Sequence, residues 1–366
     1  MTVVQLLPAL HSGGAERSTV EIARALSEAG HRSIVVSAGG RMVEELRATG
    51  SEHVGLDVGR KSLATLGTVL PLRRLFASEK VDIVHARSRL PAWMAWLALR
   101  GMHPRPHFVT TVHGLNSPGL YSSIMTRGER VIVVSLSARD YVLQHYPRMR
   151  ASQLTVIPRG VDAEEFPFGY RPDDAWRRAF AEQYPQLAGA PLMVLPGRGT
   201  RLKGHADAIR LLADLKTRGV DARLLLLGVV EPGRTDYVDE LKAMAVTLGV
   251  ADRVVFSPAR KDVRDVYAIS TLVLQLSVQP ESFGRTVVEA LSLCRPVLGY
   301  AHGGVGELLA ELYPAGRVAP GNRERLVERA AELLRLAPPI GAPPEGYTMV
   351  AMQRATLAVY DELMQE

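Results

Sequence analysis

Short apolar runs alternate along this chain with longer stretches in which apolar residues recur every three to four positions. Residues 3–7, 33–37, 81–85, 108–112, 131–134 and 154–157 read as strands. A helix is expected over about 15–29, with Val20, Ala23 and Leu26 on one face, and further helical stretches lie between several of the later strands. Strand–helix alternation of this kind predicts a parallel sheet covered by helices on both faces. The pattern breaks at 158–190, rich in Pro, Gly and charge, which reads as a linker carrying one helix near 174–183. A second alternating set follows, with strands at 192–195, 223–227, 253–256, 272–276 and 296–299 and helices near 204–217, 236–247, 284–293 and 322–336. After the Pro-rich segment 338–344, residues 346–366 read as one final amphipathic helix. The expected class is α/β, with two doubly wound, Rossmann-like halves. Such sheets place ligands at the carboxyl ends of their strands, so two of them facing each other would put the chemistry in a deep cleft.

Composition fits this picture and removes some classes. The 366 residues are 47% hydrophobic and 22% charged, enough apolar material for two cores. Cys294 is the single cysteine, so an internal disulfide is excluded and a reducing cytoplasm is the expected setting. The apolar start, with no basic leader and Gly13-Gly14 soon after, reads as a first strand rather than a signal peptide. No run of about 18 apolar residues occurs to span a membrane. Charge is uneven: residues 1–165 hold 20 Lys and Arg against 14 Asp and Glu, a net of +6, whereas 166–366 hold 24 against 24. Either this is scatter over a solvated surface, or the first half meets something acidic, such as an anionic membrane or a phosphorylated acceptor. Nucleic acid is not expected, since aromatic residues are only 6% and no nucleic-acid motif appears. Between Arg60 and Lys80, Lys61, Arg73 and Arg74 accompany Leu63, Leu66, Val69, Leu70, Leu72, Leu75 and Phe76. That mixture suits an interfacial helix, interrupted by Pro71.

Four segments carry candidate chemistry. Ser12-Gly13-Gly14-Ala15-Glu16-Arg17 joins the first strand to the first helix, where glycines let backbone N–H groups approach an anion. A tight turn with Ser12 near the N-cap is the alternative. His113-Gly114 ends a strand, which points the histidine at a ligand, or else holds it within the loop. Gly197-Arg198 and Lys203-Gly204 place two cations around a loop that opens a helix, a pairing suited to a diphosphate or to solvent. The most specific segment is Pro280-Glu281-Ser282-Phe283-Gly284-Arg285-Thr286-Val287-Val288-Glu289. Here Ser282, Phe283 and Gly284 can present consecutive N–H groups to a phosphate at a helix start. Glu289 lies among Val287, Val288, Ala290 and Leu291, where a carboxylate needs partners such as ribose hydroxyls. The plain reading makes Glu281 a charge favoured by the helix dipole and Glu289 a surface residue. No Asp-x-Asp, metal-spaced His/Cys cluster, P-loop or G-x-S-x-G appears, so kinase, hydrolase and zinc-enzyme readings lack a starting point.

Taken together, these segments resemble the GT-B glycosyltransferases of family 4 over essentially the whole chain. Val156-Ile157-Pro158-Arg159-Gly160-Val161-Asp162 looks like the family's interdomain signature, with Arg159 where Asn is usual, a departure that bears on the hinge. Glu281 and Glu289 look like its E-x7-E pair. The resemblance implies an acceptor-binding domain at 1–165, completed by helix 346–366, and a nucleotide-sugar donor domain at 166–345. It implies sugar transfer with retention and no obligatory metal or other cofactor. Arg198 and Lys203 would bind the donor diphosphate, Glu289 the ribose, and Glu281 the donor sugar. His113 would lie near the reacting sugar, and Gly14 near the phosphate or acceptor. Arg260, after Ala259, would flank the base, and Ser282, Phe283 and Gly284 would supply backbone donors. Residues 124–132 further resemble bacterial lipopolysaccharide-core transferases, which implies a glycan or glycolipid acceptor. The +6 of residues 1–165 and the stretch from Arg60 to Lys80 lead to the expectation of peripheral contact with an anionic inner membrane at its cytoplasmic face.

With no good nucleophile in view, retention favours front-side displacement, in which the leaving diphosphate helps deprotonate the incoming hydroxyl. The protein's share is then electrostatic. Two rivals stand beside this reading. One is a GT-B nucleotide-sugar epimerase or hydrolase. The other is a non-catalytic nucleotide-sugar-binding protein, against which the intact Arg198, Lys203, Glu281 and Glu289 argue.

Overall fold

The computed structural model describes residues 1–366 apart from Ser12, Pro232 and Arg234. Its contacts divide the chain into two compact units. Unit 1 is Met1–Gly160 with Met349–Glu366, and unit 2 is Val161–Thr348.

In unit 1 the described residues form a parallel sheet of seven strands: β1 (Thr2–Leu6), β2 (Arg32–Ser37), β3 (Glu52–Gly55), β4 (Ile83–Ala86), β5 (His107–Val112), β6 (Arg130–Val133) and β7 (Leu154–Val156). Between them run α1 (Gly14–Glu28), α2 (Val43–Ala48), α3 (Val69–Ser78), α4 (Arg89–Leu99) and α5 (Leu136–His145). The strand order is β3-β2-β1-β4-β5-β6-β7. Central strands such as β4 are buried at every position, which is why they read as unbroken apolar runs rather than alternating ones. The edge strand β3 escapes that reading: its four residues are polar or half-exposed.

Unit 2 repeats the plan with α6 (Asp174–Gln183), β8 (Leu192–Pro196), α7 (His205–Thr217), β9 (Arg223–Val230), α8 (Asp236–Thr247), β10 (Val254–Pro258), α9 (Val263–Ile269), β11 (Leu272–Gln275), α10 (Arg285–Ser292), β12 (Val297–Tyr300), α11 (Gly303–Leu312), β13 (Arg317–Val318) and α12 (Arg323–Arg335). Its parallel sheet runs β10-β9-β8-β11-β12-β13. Residues 161–190, expected to form a linker, pack onto this unit instead. Asp173 caps α6 by accepting the Trp176 N–H at 2.7 Å. The Trp176 indole donates to Asp262 at 2.8 Å, the Tyr170 hydroxyl donates to Asp265 at 2.6 Å, and Phe180 and Leu187 are buried. Here composition misled: Pro and Gly mark turns, and the few aromatic side chains do the packing.

The final helix, α13 (Met349–Gln365), belongs to unit 1. Its Met352, Val359, Tyr360 and Leu363 join the buried cluster of Val3, Ile22, Leu26, Ile83, Val109 and Ile132. At about 1.5–3 kcal/mol for each fully buried apolar side chain, this helix is a structural part of the first sheet's core.

The stretch from Arg60 to Lys80 forms a 3-10 turn, Leu63–Thr68, that leads into α3. Pro71 is the third residue of α3, so it does not interrupt the helix as expected. In the first turn an N–H has no partner four residues back, and its absence costs little. Leu72 and Phe76 are buried, whereas Leu63 (86% exposed), Leu66 (52%) and Leu70 (61%) face solvent.

Each sheet has one place where the strand order reverses, between β1 and β4 in unit 1 and between β8 and β11 in unit 2. The loops leaving the carboxyl ends of such a strand pair diverge and open a crevice.

Candidate functional site

In unit 2 the crevice lies between the loop after β8 and the loop after β11. The first loop ends in the turn Arg201–Lys203 and the left-handed Gly204, φ 76°. A Cβ on Gly204 would stand 1.9 Å from the Leu276 carbonyl oxygen, so only glycine lets this loop lie against the end of β11. That contact aims Lys203 across the crevice. Its Nζ donates to Glu281 Oε1 at 2.6 Å, and the Ser277 hydroxyl donates to the same oxygen. Gly284, φ 107°, begins α10, and a Cβ there would meet the Val305 side chain at 2.7 Å. Ser282 and Phe283 precede it, with Phe283 buried. Within α10, Glu289 is 8% exposed and 3.5 Å from the Arg285 guanidinium four residues earlier. The carboxylate expected to need a partner therefore has one.

The crevice thus gathers Lys203, Glu281, Ser282, Phe283 and Gly284, with Glu289 on the following helix. Arg198 is exposed and forms no side-chain hydrogen bond or ion pair among the described residues. Arg260 is engaged elsewhere: it grips Asp262 at 2.8 and 2.7 Å, donates to Gln183 at 2.8 Å and to the Tyr184 hydroxyl at 3.2 Å, and lies over the Phe180 ring.

Two unit 2 features escape a sequence reading. His302, Gly303 and Gly304 open α11, and the Gly304 N–H donates to the Glu281 carbonyl at 2.7 Å. A Cβ on Gly303 would come within 2.5 Å of that carbonyl, and one on Gly304 within 2.5 Å of Phe283 Cα. His302 Nε2 donates to the Ser277 carbonyl at 2.8 Å. The available signal is a strand followed by Gly-Gly at a helix start, as at residues 13–14. The other is His205, fully buried at the start of α7 near the Gly197 and Thr200 carbonyls, yet with neither ring nitrogen in good hydrogen-bond geometry. Burial pushes its pKa down to about 4.

In unit 1 a cavity of about 310 Å³ opens at the carboxyl ends of β1, β4 and β5. Leu7, Pro8, Ala15, Glu16, Arg87, Ser88, Arg89, Thr111, His113, Gly114, Asn116 and Met125 line it. Gly13 stands at the N-cap of α1 and Gly14 is its first residue; Ser12, the expected cap, lies outside the described residues. His113 is half-buried and receives the Arg159 guanidinium on Nδ1 at 3.5 Å, which puts the imidazole proton on Nε2. Burial, then the nearby Arg159, Arg87 and His85, hold His113 well below the usual histidine range, so it is neutral near pH 7. Arg159, expected to matter only to the hinge, is instead a buried member of this cluster. It also donates to Ser18 Oγ at 2.8 Å and touches Met352 Sδ at 3.6 Å. Arg87 lies deeper, 3% exposed, donating to Gln5 at 2.8 Å and Ser18 at 3.3 Å. Two cavities of about 600 and 610 Å³ open at the amino ends of unit 1 strands, the wrong end for a doubly wound sheet. In the first, Arg32 is already matched by Glu52 and Glu79.

Comparison with known proteins follows the same division. Residues 12–165 match the family described as Glycosyltransferase Family 4, and residues 177–339 match Glycosyl transferases group 1. The D-inositol 3-phosphate glycosyltransferase of Xylanimonas cellulosilytica is 30% identical over 241 residues, 61% of this chain and 56% of that protein. The N-acetyl-alpha-D-glucosaminyl L-malate synthase of Bacillus anthracis is 24% identical over 265 residues, 70% of this chain and 66% of that one. The match thus spans less than two thirds of either relative's length. Among solved structures, a glycosyltransferase from Rickettsia africae superposes with a TM-score of 0.85 at 26% identity, covering 100% of this chain and 99% of that one. HepE of Anabaena, solved with UDP-glucose, gives 0.79 at 21% identity, covering 99% and 100%, a likeness of fold.

Proposed function

This chain belongs to the family 4 glycosyltransferases of the GT-B fold, and from that premise we propose that it moves a hexose-type sugar, with retention, from a nucleoside-diphosphate sugar to a hydroxyl of a cell-envelope glycan or glycolipid, lipopolysaccharide core being the favoured acceptor. The observation that carries the reading is the Lys203–Glu281 pair, which joins the two loops at the unit 2 crevice. A cation beside the amides at the start of α10 suits a diphosphate, and the adjoining carboxylate suits sugar hydroxyls.

In this reading Arg198, Lys203 and the 282–284 backbone stabilise charge as it builds on the leaving diphosphate. Glu281 holds the donor sugar and Glu289 the ribose. The leaving phosphate takes the acceptor proton, so neutral His113 orients the reacting sugar and need not act as a base. Gly14 offers a backbone N–H to the phosphate or the acceptor. No cofactor enters and no metal is required. The test is product analysis in EDTA, with and without acceptor. Sugar transfer that survives chelation and depends on acceptor is expected. Loss of transfer restored by Mg²⁺ or Mn²⁺ overturns the metal-independent step. Release of free or rearranged sugar without acceptor favours a hydrolase or epimerase.

Membrane contact belongs to the same proposal, at the cytoplasmic face. Exposed Leu63, Leu66 and Leu70 stand beside the exposed Arg60, Lys61 and Arg74. On the neighbouring α4, Trp93 and Trp96 lie under Arg127, an arrangement suited to a headgroup interface. Among the described residues no helix is long and apolar enough to cross a membrane. Flotation with anionic vesicles should recover the protein in a salt-sensitive way, and Leu66→Asp with Leu70→Asp should abolish recovery. A wild-type protein left in the soluble fraction at low salt rules the contact out.

A further inference from the structure

We propose that the unit 1 cavity is a binding site for an anionic group, a phosphate or carboxylate, carried by the acceptor. Buried Arg87 and the amino end of α1 would hold it. The inference deepens the transferase reading and rests on it, by naming the chemical class of the second substrate.

Arg87 follows β4 and lines the cavity. It is 97% buried, being 3% exposed, and its Nη2 makes no hydrogen bond of good geometry among the described residues, with the Tyr360 hydroxyl and Glu21 the groups that act on its charge from the protein side. A guanidinium offers five donors, and a buried one without a well-formed hydrogen bond gains when a ligand meets it. A second buried guanidinium, Arg159, adds its charge from the same side, sharing Ser18 with Arg87. Arg89, also on the lining, is half-buried and donates one hydrogen bond, to Ser122 Oγ at 3.1 Å. Against these three cations stand two carboxylates, Glu16 on the lining and the buried Glu21. The excess is therefore positive. The 15-residue helix α1 adds to it, because its first turn abuts the cavity through Ala15 with the positive end of its dipole. The uncharged lining suits the remainder of a polar acceptor: Thr111 and Asn116 can meet hydroxyls, and His113 is neutral.

A donor diphosphate is the other source of such an anion, and the test separates the two. Binding of inorganic phosphate and of a nucleoside diphosphate is measured by calorimetry at fixed ionic strength on the full chain and on Arg87→Gln, Arg89→Gln and Lys203→Gln. The expected result is saturable phosphate binding that Arg87→Gln and Arg89→Gln each weaken about tenfold or more, with Lys203→Gln within about twofold of wild type. The nucleoside diphosphate should show the reverse pattern. Should Arg87→Gln fail to fold by its melt, the less buried Arg89→Gln decides. Unchanged phosphate affinity in the folded cavity variants overturns the proposal. So does phosphate binding that Lys203→Gln abolishes, which assigns the anion to the donor. If the nucleoside diphosphate does not bind while phosphate binding still needs Arg87, the anion site stands and the donor reading is what fails.

Discussion

The two crevices of this protein are built alike and charged differently. Both lie at the reversal of a doubly wound parallel sheet, β1 against β4 in unit 1 and β8 against β11 in unit 2. Among the described residues of unit 2, Lys203 meets Glu281 and Arg285 meets Glu289 at the crevice, and Arg260 beyond it meets Asp262, whereas the exposed Arg198 forms no ion pair. In unit 1 buried Arg87 and Arg159 outnumber the buried Glu21. Whole-unit charge follows suit. Unit 1 holds 21 Lys and Arg against 14 Asp and Glu, a net of +7, and unit 2 holds 23 against 24, a net of −1. Topology therefore supplies the place, and charge matching supplies the difference. A crevice with internal pairs is held in shape before its ligand arrives, whereas one with surplus buried cation draws part of its stability from the ligand.

The largest expected effect comes from breaking the pairing in unit 2. Glu281→Gln keeps the shape, removes the charge and leaves Lys203 without its carboxylate. Transfer kcat should fall about 10- to 1000-fold, while affinity for the nucleoside diphosphate is held or raised. Steady-state kinetics with calorimetry on the product measure both, and wild-type kcat in this variant would remove the site assignment. Glu289→Gln should act more mildly, chiefly by raising donor KM about tenfold with kcat nearly unchanged, since ribose contacts are similar before and during reaction. Because Glu289 is buried beside Arg285, a lower melting temperature should accompany it. A kcat loss equal to that of Glu281→Gln would dissolve the distinction between the two residues.

The smallest effect is a pH slope. The folded chain keeps His205 neutral down to about pH 4, while the unfolded chain protonates it near 6.5. Its stabilising share is complete above about pH 6.5 and is lost as pH falls toward 4. Urea unfolding across this window should show a shallower slope in His205→Asn. Burial also holds His85 and His113 of unit 1 far below the usual range, so part of the slope should remain. An unchanged slope in His205→Asn would show that unit 2 contributes none of it.

Much of the architecture was legible because parallel strands buried on both faces are continuous apolar runs. Helix α6 was readable for another reason: Asp173 caps it, and its apolar positions keep the helical period. What stayed hidden lacks either signature. Strand β3 is a short edge, β13 has two residues, and α11 opens on Gly-Gly, which weakens any helical pattern. As candidates, Lys203, Glu281 and Glu289 stood out because they sit in spaced motifs, and His113 because it follows a strand. Arg87, Asn116 and His302 are single polar residues after strands, with no spacing to mark them. Only the packing of distant segments shows that Arg87 meets Gln5 and Ser18, or that Arg159 meets His113.

Helix α13 also sets a timetable. A ribosome that has delivered residues 1–160 has made the whole first sheet but not Met352, Val359, Tyr360 or Leu363, which complete its core. His85, fully buried on β4, has yet to receive the Tyr360 hydroxyl that will sit 2.6 Å from it. All of unit 2 is translated in between, which takes on the order of ten seconds or more at about 5–20 residues per second. Through that interval the earlier-born half has an open apolar seam, and the later-born half, contiguous from Val161 to Thr348, is free to finish first. Order of synthesis and order of completion are thereby reversed, and chaperone demand should peak on the half that emerges first.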